Sequence, residues 1–129
     1  MANCPFCEVA SGDSGTEFVA ETAHSVSFYD RYPLSEGHAL VTPRRHVGDL
    51  FDLDPDERAD AWALLDTVRT LIVERFSPDG FNIGVNTNDA AGQTVAHAHI
   101  HLIPRQLGDV EDPRGGIRWV IPDKARYWE

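Results

Sequence analysis

The stretch GQTVAHAHIHLIPR, residues 92–105, puts His97, His99 and His101 on alternate positions. The chain has six histidines, and half of them fall within these five consecutive residues. A period of two belongs to a β-strand, whose alternate side chains share a face. Ala96–Pro104 is therefore read as a strand. Its three imidazoles line the exposed side about 7 Å apart, while Ala98, Ile100 and Leu102 supply the core side. A polar strand face that carries histidine by chance is the plain alternative. Three residues in line do not wrap around a metal well, so the row by itself is not read as a metal site. Imidazole near neutral pH is a nucleophile, a proton carrier and a donor to phosphate oxygens.

The neighbouring sequence suits phosphate chemistry. Gly92 lets backbone N–H groups approach an anion, the Thr94 hydroxyl can donate, and Arg105 follows the row. No Walker motif or GxGxxG occurs. Phe18–Glu21 and Ser25–Tyr29 read as short strands, and DRYPLSEGH (30–38) as a turn. Ala39–Thr42 is a short apolar strand stopped by Pro43. One helix is clear. Asp54 is the N-cap, Pro55 the first helical residue and Glu57 the far side of a capping box. Ala61, Leu64, Leu65, Val68, Leu71 and Ile72 form its apolar face, and the helix ends near Phe76 before SPDG. Phe81–Asn86 is a further strand. CPFCEVASGDSG (4–15) reads as a loop and the tail from about 108 as irregular. The expected fold is α+β: one domain over 1–129, a mostly antiparallel sheet and one long helix.

The bulk composition narrows the partners. The chain of 129 residues is 42% hydrophobic and 25% charged, with a net charge of -10. An acidic surface repels nucleic acid and anionic membrane, so an anionic ligand needs a local grip. No apolar run approaches the roughly 18 residues of a membrane span. Met1-Ala2-Asn3-Cys4 runs straight into polar sequence, which points to a chain without a signal peptide, in the cytoplasm, with reduced thiols.

His97-Ala-His99-Ile-His101-Leu-Ile, with GQTV before it, IPR after it, SEGHALVTPRRH and FNIGVN, resembles the histidine-triad family of nucleotide hydrolases and transferases. The resemblance covers nearly the whole chain. It implies that His99 attacks the α-phosphorus of a nucleotide and forms a nucleotidyl-histidine intermediate. It puts His101 near the phosphate and leaving group, with His97 as the first member of the triad. Gln93 and Thr94 match the phosphate-contacting loop. Asn86 matches an amide on the phosphate or ribose side, Asp30 the group holding the ribose hydroxyls, and Phe28 a wall for the base. The plain alternatives are a strand-end turn for Asn86, a turn start for Asp30 and a β-former for Thr94. The resemblance further implies a homodimer with joined sheets.

CPFC alone is weak, since neither a redox helix nor a thioredoxin-like unit accompanies it. A bacterial and archaeal subset of the family carries a structural zinc. The matching residues here are Cys4, Cys7, His46 and His97, with two free buried thiols as the alternative. His24 and His38 receive no catalytic role. Triad chemistry serves two branches, one splitting dinucleoside polyphosphates and one cleaving P–N bonds as a phosphoramidase. IPR and GQTV, rather than GQSV, lean toward dinucleoside polyphosphate hydrolysis. Arg114 and Arg118 of the tail are candidates for the distal phosphates, with dimer contacts as their alternative use. A nucleotide-binding module with slow turnover stays open.

Overall fold

The computed structural model describes residues 3–129. Met1 and Ala2, read above as the start of a chain without a leader, lie outside the described residues. The long helix forms where its sequence signals stand, as α2 over Pro55–Phe76. Glu57 Oε1 accepts the Asp54 backbone N–H at 3.1 Å, which satisfies one orphan donor of the first turn. Arg45 holds the same carboxylate at 2.7 Å. Ser77 ends the helix in the left-handed region, at φ 48°, with its N–H on the Val73 carbonyl. Ala61, Leu64, Leu65, Val68 and Ile72 are buried as the spacing expects. Leu71 is 37% exposed, at the edge of the apolar stripe rather than inside it.

Five antiparallel strands form one sheet in the order β1-β2-β3-β5-β4: β1 Ala20–Glu21, β2 Ser25–Tyr29, β3 Ala39–Pro43, β4 Gly80–Gly84 and β5 Ile100–Arg105. Val41 pairs with Ile100 and Ala39 with Leu102, and these side chains meet Leu64, Val68 and Ile72 of α2 in the main core. The residues between them in sequence face the other way. Leu40 pairs with His101 and Phe28 with Leu40 on the opposite face. The α+β fold with one long helix is as read from the sequence.

The N-terminal segment departs from that reading. CPFCEVASGDSG opens with a helix, α1, Pro5–Ser11. Cys4 Sγ accepts the Cys7 N–H as N-cap, Pro5 takes the first turn, and Gly12 closes it at φ 85°. Its Phe6, Val9 and Ala10 pack on Val26, Phe28 and Leu40 as a second, smaller core. Cysteine is an unusual cap, which hides this helix from capping rules.

The triad strand also differs. β5 begins at Ile100, not Ala96, and the row does not lie on an exposed face: His97 is fully buried and His99 is 7% exposed. The physical reason is Pro43. It has no N–H to continue the ladder, and its carbonyl is taken by His97 Nε2 at 2.7 Å. The chain before Ile100 turns away, with the Ala98 N–H on the Val47 carbonyl. β4 ends at Gly84, so Asn86 lies beyond it, β1 starts at Ala20 rather than Phe18, and Pro43 closes β3 from inside. The tail contains two short helical turns, Gly116–Val120 and α3, Pro122–Ala125.

Leu64 is fully buried between α2 and the sheet. Leu64→Ala is expected to cost about 2–5 kcal/mol through lost transfer energy and a residual cavity, read as a lower urea midpoint at unchanged slope.

Candidate active site

Each triad imidazole is assigned a protonation by its neighbours. His99 Nδ1 lies 2.8 Å from the His97 carbonyl. A carbonyl only accepts, so Nδ1 carries the hydrogen and Nε2 keeps its lone pair. Phe6 stands edge-on to the ring, 4.9 Å between centroids. His101 is set the opposite way, through a residue that the sequence reading left without a role. The Leu34 N–H donates to His38 Nδ1 at 3.0 Å, so the hydrogen of neutral His38 sits on Nε2. That Nε2–H donates to His101 Nδ1 at 3.0 Å. His101 then carries its own hydrogen on Nε2. One neighbouring ring thus presents a lone pair and the other an N–H donor, two groups that chemistry at a phosphate can use.

Burial favours the neutral form of His101 and His38. Desolvation first, then the neighbouring His99 and His38, push His101 down to about 4. His38 is lowered chiefly by burial, against the pull of Asp30, whose Oδ2 lies 3.4 Å from its Nε2. A signal for His38 was present: residues 38, 40 and 42 alternate, and Leu40 faces His101.

His97 faces away from this chemistry. Its Nε2–H is spent on Pro43, so its Nδ1 lone pair points at Cys4 and Cys7, 3.5 Å from each sulfur. His46 Nδ1 lies 3.2 Å from Cys7 Sγ. The four ligand atoms lie within 4.8 Å of one another. With bonds of about 2.3 Å to sulfur and about 2.0 Å to nitrogen, a tetrahedral ion sets sulfur–nitrogen edges near about 3.5 Å. Donor set, tautomer and spacing all fit such an ion. Asp30, His38 and His101 converge equally closely. There the Leu34 amide keeps a hydrogen on His38 Nε2, so that cluster is a proton chain rather than a ligand set.

One pocket of about 920 Å³ brings together Phe28, Asp30, Asn86, Thr94, His99 and His101. Asp30 Oδ1 accepts the Tyr32 N–H at 2.8 Å, which turns the β2–β3 loop over the pocket. Gln93 does not line it. Its amide accepts from the Asn88 N–H and donates to the Gly48 and Val95 carbonyls, pinning the loop that carries Thr94. Phe6 lines the pocket and was missed because its helix was. The tail arginines lie elsewhere. Arg114 pairs with Asp112 and lies over Trp128, and Arg118 donates to the Lys124 and Ala125 carbonyls.

Residues 11–108 match a family model described as the HIT domain. The chain is similar to the adenosine 5'-monophosphoramidase of Schizosaccharomyces pombe, 37% identical over 103 residues, which span 80% of this chain and 74% of that protein. It is 38% identical over 98 residues to the asymmetrical bis(5'-nucleosyl)-tetraphosphatase of the same yeast, spanning 76% of this chain and about half, 54%, of that relative. A zinc-bound histidine triad family protein from Mycobacterium smegmatis has a similar structure, with a TM-score of 0.76, 32% identity, and coverage of 95% of this chain and 94% of that one.

The lowered His101 has a consequence for stability. Between 6.5, its ordinary value, and about 4, the unfolded chain binds a proton that the folded site refuses. Stability is complete above pH 6.5 and falls as the pH drops through this window. Melting temperature is expected to decline from pH 7 to pH 5, with a shallower slope in His101→Asn; parallel slopes would contradict it.

Proposed function

This chain belongs to the HIT family, and on that premise we propose that it is a nucleotide hydrolase or transferase acting at the α-phosphate, with a dinucleoside polyphosphate as substrate. The observation that supports this most is the opposed tautomers of His99 and His101. His99 Nε2 forms a bond to the α-phosphorus while the bond to the leaving group breaks. His101 Nε2–H donates a hydrogen bond to the leaving oxygen, which departs with the bonding electron pair as the polyphosphate anion. Water then bonds to the phosphorus as the P–N bond of the adduct breaks, the electron pair returns to His99 Nε2, one water proton passes to solvent, and a nucleoside monophosphate is released. Asn86, Thr94 and the backbone around Gly92 hold the phosphate oxygens, with Gln93 keeping that loop in position. Asp30 takes the ribose hydroxyls, and Phe28 walls the base with Phe6 and Leu40. The pocket volume lies toward the upper end of the about 300–1,000 Å³ usual for small-ligand sites, which favours a substrate longer than a mononucleotide. The phosphoramidase reading rests on the comparable likeness to the yeast phosphoramidase.

Cys4, Cys7, His46 and His97 would hold a structural zinc ion. Four protein ligands leave no open position, so it supplies a cross-link between α1 and the triad segment rather than Lewis acidity. A homodimer is supported by the exposed apolar residues Trp62, Leu71 and Val73 on α2, with Ile83 on the edge strand β4. Charge of -10 disfavours nucleic acid as a partner. Among the described residues no helix is long and apolar enough to cross a membrane. Two free thiols suit a reducing cytoplasm.

The test is AMP release from diadenosine tetraphosphate and adenosine 5'-phosphoramidate, with His99→Ala as blank. Faster release from the tetraphosphate is expected; faster release from the phosphoramidate moves the protein to the other branch. AMP binding without turnover of either leaves a binding module. His46→Ala is expected to lower both zinc content and melting temperature, and unchanged zinc content would remove that residue from the ligand set.

A further inference from the structure

The chain carries 21 acidic residues against 11 basic ones, and its pocket is lined by Glu8 and Asp30. A polyphosphate entering there meets repulsion unless a cation stands at the site. The tail arginines are engaged within the tail. Arg44, Arg45 and Arg105 are each held by a carboxylate at 2.7 Å.

Arg31 differs. Among the described residues it is the one Arg or Lys lining the pocket. No ion pair or side-chain hydrogen bond engages it among those residues, and its guanidinium lies over the Tyr32 ring, 5.8 Å from the centroid. That ring is 78% exposed, so it supports the guanidinium without hiding it. Arg31 directly follows Asp30, whose carboxylate stands 3.9 Å from His101 Nδ1. The Asp30–Tyr32 turn holds this part of the loop on the pocket wall.

We propose that Arg31 is a specificity-determining residue that binds the anionic part of the leaving group, the phosphates beyond the α-phosphate. This rests on the hydrolase reading and names the leaving-group class. A guanidinium offers paired N–H donors to phosphate oxygens, and a phosphoramidate leaving group offers no such anion.

The test compares wild type, Arg31→Ala and Arg31→Lys on diadenosine tetraphosphate and adenosine 5'-phosphoramidate. Arg31→Ala is expected to lower kcat/KM for the tetraphosphate roughly tenfold or more, the scale of a lost charge-assisted hydrogen bond, and to leave the phosphoramidate within about twofold. Arg31→Lys should recover part of the loss. Equal losses on both substrates, or none on the tetraphosphate, overturn the assignment. Calorimetry in the His99→Ala background separates binding from catalysis: ATP should bind more tightly than AMP, and Arg31→Ala should abolish that difference. An ATP advantage that survives Arg31→Ala, or AMP binding with no ATP advantage at all, removes Arg31 while the hydrolase reading stands. Absence of both AMP binding and turnover removes the hydrolase reading, and the Arg31 assignment with it.

Discussion

His97 joins two carbonyl contacts on which the site depends. Its Nε2–H is bound to the Pro43 carbonyl, and its own carbonyl receives Nδ1–H of His99. Carbonyls accept and never donate, so each contact settles a tautomer. The first aims the His97 Nδ1 lone pair at two cysteines, and the second leaves His99 Nε2 free toward the pocket. One residue thereby connects the N-terminal helix, strand β3 and His99. Burial makes these contacts obligatory, because a polar ring sealed from water has no other partner.

The electrostatics follow from the same burial. An isolated imidazole near neutral pH is partly protonated, and a cationic His101 would carry a second hydrogen on Nδ1, against the His38 Nε2–H that donates there. Desolvation keeps His101 neutral, and the chain from the Leu34 amide through His38 decides which of its nitrogens bears the hydrogen. Among the described residues Arg31, on the same loop as Asp30, is the one guanidinium or ammonium group lining the pocket. The β2–β3 loop therefore supplies Asp30, Arg31 and His38, while β5 and the segment before it supply His99 and His101.

Much of the fold was legible because its signals are local. The capping box at Asp54 and Glu57 and the spacing of Leu64, Val68 and Ile72 depend on neighbours within one or two turns. The alternation of Ile100 and Leu102 is likewise local. Helix α1 was not legible, because its cap is a cysteine sulfur and its stability comes from packing on Val26, Phe28 and Leu40, far away in sequence. His38 was passed over because its partners, Leu34 and His101, meet it only once β3 lies beside β5. Gln93 carried a ligand role by resemblance, and its amide instead spans three backbone groups of its own and a neighbouring loop.

Local order determined the α+β class, the long helix, the inward set of β5 and the residue types of a phosphate-handling site. Period and capping are properties of consecutive residues, and the sequence states them directly. The burial of the histidine row, the direction of each ring hydrogen and the closeness of Cys4 and Cys7 to His46 and His97 were decided by tertiary structure. So was the division between arginines engaged elsewhere and the one on the pocket wall. These depend on which carbonyl, sulfur or carboxylate arrives from a distant strand, and alternation along one strand carries no information about what packs against it.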